Sequence, residues 1–503
     1  MRQIDAATLR AWLTDGAEIA LLDAREEGEF GTAHPFWAVP CPLSQAELRA
    51  PGLLPRRSVR VVCMDDGRGV AERLAGFLPG IGCTDVSVLE GGTRAWEAAG
   101  FVLFSGVNVP SKAFGEWVEH HYGTQSVDAP ELKSWIDQGR DMVVLDSRTF
   151  EEFRRMSIPT GVSVPGGELV YRVGDLVPRP ETLIVVNCAG RTRSIMGAES
   201  LRQAGLPNDI VALRNGTMGW ELAGLSCERG RTDRFAPGRP ATAELAAGRA
   251  RAFAERCGVQ VIDAAGLAAL QGDPGRTLYV LDVRDPEEFA AFSHPGSVNA
   301  PGGQLVQATD TWIAVRNARI ALLDDDGVRA RMSAGWLRQM GFADVFVVEN
   351  ALPGAVTAAE LAGMTAVVVD LARSIAYRAG HIPGAHWGIR TRLAALAPVL
   401  AAAPVVVLTS PDGSLARLAV AEVRELTQAT VLVLSGGTEA WTGAGFALES
   451  GRTVPPDEDC ADFYLRPYDR NSGVEAAMQA YLSWEIDLVR EIERDGTVRF
   501  GVK

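Results

Sequence analysis

One pattern recurs four times along this chain: a short apolar run that ends in aspartate. It reads Ala20-Leu21-Leu22-Asp23, Val143-Val144-Leu145-Asp146, Tyr279-Val280-Leu281-Asp282 and Val367-Val368-Val369-Asp370. Three copies carry an arginine two positions on, at Arg25, Arg148 and Arg284; the fourth has Ala372 there and Arg373 next. Three continue into Glu-Phe, at Glu29-Phe30, Glu152-Phe153 and Glu288-Phe289. A second signature closes the units: Gly91-Gly92-Thr93-Arg94-Ala95-Trp96, Asn215-Gly216-Thr217-Met218-Gly219-Trp220 and Gly436-Gly437-Thr438-Glu439-Ala440-Trp441. Only a remnant, Val348-Glu349-Asn350-Ala351, stands in the third unit. Repetition at domain-sized spacing requires one supersecondary plan used repeatedly. Within each unit apolar runs alternate with helical patterns, which predicts an α/β fold, a parallel sheet flanked by helices.

Four such domains account for most of the 503 residues. Their expected limits are residues 1–108, 124–230, 255–352 and 356–451. Arg229 to Arg251 reads as a linker leading into a short helix. The extension 452–503 lies outside the repeats. It carries a predicted amphipathic helix from Val474 to Arg494, with Ala477, Tyr481, Trp484, Leu488 and Ile492 at helical spacing. That helix is expected to dock on another domain or to join a second copy of the chain in a homo-oligomer.

Hydrophobic residues make up 47% and charged residues 22%, an ordinary globular balance. A net charge of −14 argues against nucleic-acid binding through a basic face. The most apolar stretch, Leu393 to Leu408, is broken by Pro398 and Pro404, so no membrane span is expected. The start, Met1-Arg2-Gln3-Ile4-Asp5, has no apolar signal core behind it. The cysteines, 41, 63, 83, 188, 227, 257 and 460, are scattered and form no CxxC pair. Neither a disulfide framework nor a metal site is expected, and a cytoplasmic location fits.

The chemistry concentrates in Asn187-Cys188-Ala189-Gly190-Arg191-Thr192-Arg193-Ser194. The apolar run Leu183-Ile184-Val185-Val186 precedes it, and a predicted helix, Ile195 to Ala204, follows and is closed by Gly205. Cys188 therefore sits on a strand-to-helix turn. A helix N-terminus offers free N–H groups and the positive end of a dipole. With two arginines beside it, the thiol is placed to act as a thiolate nucleophile. Arg191 and Arg193 are expected to bind an anionic donor and steady the thiolate. The amides from Ala189 to Ser194 are expected to face the sulfur as a nest. Ser194 is expected to cap the helix and Thr192 to hydrogen-bond the loop.

Loop and repeat together resemble the rhodanese superfamily, and the pattern is similar to four-repeat rhodanese-related sulfurtransferases in which only the second repeat keeps the cysteine. The resemblance implies a Cys188 persulfide that takes sulfane sulfur from a donor such as thiosulfate or a persulfide. It implies a thiophilic acceptor, cyanide in an assay or a thiol in a cell, and no cofactor. Two other readings compete. One is a cysteine-based phosphatase or arsenate reductase; such phosphatases place the arginine after five residues, where this chain has Ser194, whereas Arg193 follows after four, and no second redox cysteine is placed near the loop. The other alternative is a non-enzymatic scaffold or persulfide sensor, which three silent repeats would suit.

In the silent repeats Cys188 aligns with Asp65, Asp324 and Ser410. A carboxylate or hydroxyl there can cap the following helix and fill an anion's place, but cannot form a persulfide. Cys63 falls two residues early, in the strand end. Asp146 and Arg148 read as a structural pair, because their equivalents persist in silent units. His34, His294 and His381 fall at proline turns and read as structural. The connector Asn108 to Glu116, followed by His120 and His121, has two readings: a segment folded over Cys188 that supplies Lys112 or a histidine, or a helix packed between domains.

Overall fold

The computed structural model describes residues 2–495 except 237, 350–353, 402 and 452. The chain divides into two compact units, residues 1–352 and 353–503. The first holds three repeats and the second holds the fourth.

Each repeat contains a five-stranded parallel sheet with one spatial order. Numbered by appearance within the repeat, the strands lie 1-5-4-2-3. In the second repeat these are Ser126–Val127, Ile210–Leu213, Leu183–Asn187, Met142–Asp146 and Val162–Ser163. The central strands are buried on both faces, as their continuous apolar runs require. Register explains the recurring aspartate. Asp146 pairs with Asn187, Asp23 with Met64, Asp282 with Leu323 and Asp370 with Thr409. In every repeat the aspartate therefore stands beside the residue just before Cys188 or its counterpart.

The paired arginine folds back on that aspartate. Arg148 Nε and Nη2 donate to the Asp146 carboxylate at 2.9 and 2.7 Å, and Nη2 also donates to the Met156 carbonyl at 2.6 Å. Arg25 with Asp23 and Arg284 with Asp282 repeat the arrangement. All six side chains are buried. In the fourth repeat Ala372 replaces the arginine. Asp370 keeps the amide of Ala372, its Oδ2 has no hydrogen-bond partner, and burial raises its pKa.

The first sheet departs from the expected all-parallel form. A short strand of the third repeat, Val315–Arg316, joins its edge antiparallel to Ile19–Ala20. Around this seam the first and third repeats share one hydrophobic core. Tyr279 donates to the Leu53 carbonyl at 2.6 Å and accepts from the amides of Ala314 and Val315. Glu18 accepts from Arg56 and Arg276, each at 2.8 Å.

The second and third repeats meet at glycines. A β-carbon on Gly167 would lie 2.8 Å from the Gly303 amide nitrogen, and one on Gly303 would lie 2.7 Å from that of Gly167. Only glycines allow this backbone approach. The linker helix runs Ala243–Arg256, fourteen residues, and packs against helices of both repeats. Arg329 of the third repeat is fully buried and reaches Glu168 of the second at 2.8 Å.

In the second unit, the segment after the fourth repeat packs back on it. Arg378 donates to the Pro455 carbonyl at 2.6 Å and pairs with Asp457 at 2.9 Å. The terminal helix runs Val474–Asp495, and Leu482 and Trp484 on it are exposed. The side chains of Leu488 and Ile492 lie outside the described residues. No described helix is long and apolar enough to cross a membrane.

Candidate active site

Cys188 follows the buried strand Leu183–Asn187 and is itself 2% exposed. Its thiol faces the Ser194 hydroxyl at 3.5 Å. The loop is held from behind by the second signature. Thr217 N–H donates to the Cys188 carbonyl at 2.8 Å and Met218 N–H to the Ala189 carbonyl at 3.0 Å. A β-carbon on Gly216, whose φ is +53°, would overlap the Cys188 carbonyl oxygen. The first and fourth repeats keep this clamp, with Thr93 N–H on the Asp65 carbonyl at 2.8 Å and Thr438 N–H on that of Ser410 at 3.0 Å. The equivalence of Asp65, Cys188 and Ser410 is thus geometric.

The other three loops show which amides point at the position that Cys188 holds in the second repeat. Asp65 accepts from the amides of Gly67, Val70 and Ala71 at 2.6, 2.7 and 3.2 Å. Asp324 accepts from Ala330 N–H at 2.9 Å, and Ser410 Oγ from Ala416 N–H at 3.3 Å. Counted from Cys188, the corresponding amides are those of Gly190, Arg193 and Ser194. Each silent side chain occupies an anion cradle at a helix start. Cys63 lies in the strand Arg60–Met64, and burial raises its pKa well above the usual thiol range.

The helix after the loop is Thr192–Gln203, three residues longer at its start than the sequence predicts. Ser194 therefore does not cap it. Its hydroxyl lies in the first turn and donates back to the Arg191 carbonyl at 2.8 Å. Arg191 occupies the cap position without a side-chain cap bond. The Thr192 methyl packs toward Gly115, where a β-carbon would lie 2.7 Å away.

Both loop arginines are engaged by carboxylates. Arg191 makes a bidentate pair with Glu116, 2.8 Å on each arm, and also pairs with Glu119. Arg193 pairs with Glu152 at 2.6 and 2.8 Å. The guanidinium of Arg193 and the Thr149 cap hold the Glu152 carboxyl below its usual range, against the opposing effect of burial. The connector is a helix, Val109–Tyr122, packed against the loop helix. It brings Glu116 and Glu119 to the loop, whereas Lys112, His120 and His121 are exposed. His34 and His381 stack on Phe30 and Tyr377 and bond backbone carbonyls, as turn histidines do.

Sequence reasoning passed over these three glutamates. The Glu-Phe recurrence pointed to Glu152, whose counterparts Glu29 and Glu288 also pair with loop arginines, Arg68 and Arg329. Glu116 and Glu119 stand at i,i+3 on a helix, a spacing too common to signal a site. Beside the loop a narrow cleft of about 40 Å³ is lined by Ser147, Thr192, Arg193 and Met196, with Gln307 and Trp336 of the third repeat opposite.

A Rhodanese-like domain family model matches residues 5–99, 128–223 and 263–357. The crystal structure of thiosulfate sulfurtransferase from Pseudomonas aeruginosa is 46% identical over 100% of both chains, with a TM-score of 0.68. The Alr3790 protein from Anabaena sp. is 26% identical over 21% of this chain and 93% of its own, with a TM-score of 0.20. The 3-mercaptopyruvate sulfotransferase SseA from Escherichia coli is 20% identical over 45% of this chain and 97% of its own, with a TM-score of 0.22. No curated protein matches the chain. The fourth sheet lies almost wholly beyond the matched segments yet has the same strand order. Three matched segments covering more than half of the residues, and a full-length relative at 46% identity, place this chain in the rhodanese-like domain family.

Proposed function

We propose that this protein is a sulfurtransferase that carries sulfane sulfur on Cys188. One observation carries the reading. Where the silent repeats fill the amide cradle with their own carboxylate or hydroxyl, the second repeat holds a thiol. A cradle that accepts an aspartate carboxylate also suits a persulfide anion.

The Cys188 thiolate attacks the outer sulfur of thiosulfate. The new S–S bond forms as the donor's S–S bond breaks, and its electron pair leaves with sulfite. The terminal sulfur of the Cys188 persulfide is then attacked by cyanide, giving thiocyanate, or by a thiol, giving a persulfide. Either step returns the thiolate. The amides of Gly190, Arg193 and Ser194 steady the negative sulfur through both steps. Thiosulfate is chosen as donor because the full-length neighbour is a thiosulfate sulfurtransferase. All seven cysteines are free, which suits a reducing compartment such as the cytoplasm.

Intact-mass analysis after incubation with thiosulfate tests this. The expected result is a gain of one sulfur mass, lost on adding cyanide with release of thiocyanate, and absent in Cys188→Ser. Failure of thiosulfate, mercaptopyruvate and glutathione persulfide alike to load Cys188 would overturn it in favour of a binding scaffold, the reading that three self-filled loops support.

A further inference from the structure

We propose that Glu116 and Glu119 tune donor preference at the Cys188 loop, lowering the advantage that its arginines give a dianion such as thiosulfate over a singly charged donor of the same chemistry. The proposal rests on the reading of Cys188 as a sulfur carrier. Two guanidinium groups flank the loop, Arg191 and Arg193. Three carboxylates contact them, Glu116, Glu119 and Glu152. The Asp146–Arg148 pair beneath is balanced. Lys112 is exposed a helical turn before Glu116 and forms no ion pair with any of these three carboxylates. The collar in contact with the loop is therefore net acidic, although the loop itself is basic.

The connector contact is built into the packing. Gly115 lets the connector helix approach Thr192 at the start of the loop helix. Val118, three residues on, is fully buried in the core of the second repeat. Glu116 and Glu119 are thus held on a fixed helix. An incoming anion gains from Arg191 only by sharing a guanidinium already bound on two arms. It also meets two carboxylates whose repulsion grows with its own charge. A singly charged donor is penalised less than a dianion.

The pair Glu116→Gln and Glu119→Gln leaves each side chain one oxygen to accept from Arg191 and removes both charges. Two donors of like chemistry and different charge are compared, thiosulfate as the dianion and methanethiosulfonate as the monoanion, with cyanide as acceptor. In the double variant kcat/KM is expected to rise about ten-fold for thiosulfate and about three-fold for methanethiosulfonate, chiefly through KM. Equal factors for the two donors, or a loss for both, would overturn the proposal. In the wild-type protein, raising salt from about 20 to about 300 mM screens the collar. The thiosulfate-to-methanethiosulfonate ratio should then rise about two-fold, and a flat or falling ratio would overturn the proposal even if the double variant does not fold. Sulfur loading of wild-type Cys188, read by mass, separately tests the sulfur-carrier reading.

Discussion

Gly216 presses its backbone against the carbonyl of Cys188, leaving no room for a side chain between them. The adjacent Thr217 N–H bonds the same carbonyl at 2.8 Å. Gly92 and Gly437 stand identically over Asp65 and Ser410. The glycine-threonine signature is thus a clamp for the strand-to-helix turn, kept whether or not that turn performs chemistry. In the third repeat Asn350 lies outside the described residues.

Gly216→Ala is expected to push the loop away from its seat. A β-carbon would collide with the Cys188 carbonyl, and a φ of +53° is itself strained for alanine. Sulfur transfer to cyanide should fall at least about ten-fold, with a stability loss of about 1–3 kcal/mol. Thiocyanate release and a thermal melt check both parts.

Asp65→Ala removes three amide bonds at a helix start without touching the second repeat. Urea unfolding should show a loss of about 1–2 kcal/mol. Thiocyanate turnover should stay at the wild-type level. A drop in turnover without a loss of stability would contradict the scaffolding role given to this loop.

Arg329→Met is expected to be severe. This guanidinium is fully buried among Glu168, Glu288, Asp325 and Asp326. Removing it strips Glu288 and Asp326 of their arginine and leaves Glu168 and Asp325 only Arg172 and Arg284, at a cost of about 3–5 kcal/mol. Because Glu168 belongs to the second repeat, turnover at Cys188 should be lost at a lower temperature as well. Melting followed by circular dichroism beside an activity-temperature profile checks this.

The same cluster should make stability fall as pH rises. Burial pushes the Asp326 carboxyl up to about 7, against the pull of Arg329. In an unfolded chain it titrates near pH ~4. Between those values the folded state binds more protons than the unfolded state, so this group's contribution declines with rising pH and is lost above about 7. The midpoint of thermal unfolding should drop from about pH 5.5 to about pH 7.5, and Asp326→Asn should flatten that slope.

Much of the site was legible because its elements are local. The strand ending at Asn187, the turn at Cys188 and the helix after it are written in a short continuous segment, where periodicity and residue type act over one turn or one strand. The silent counterparts Asp65, Asp324 and Ser410 follow from counting along each repeat. Ser194 misled for a local reason too. The helix begins at Thr192, so a serine placed to cap it lies in its first turn and bonds the Arg191 carbonyl.

The sequence by itself determined four α/β repeats and a single thiol at the four equivalent positions of their strand-to-helix loops, since each rests on a spacing repeated within about a hundred residues. Tertiary structure alone decided which groups meet across the chain. Arg191 finds Glu116 from 75 residues away, and Arg329 finds Glu168 from 161. The edge strand Val315–Arg316 joins Ile19–Ala20 in another repeat. Such contacts leave no periodic trace, because a charge or an edge strand is complementary to many partners. Only the packing of one repeat on the next selects among them.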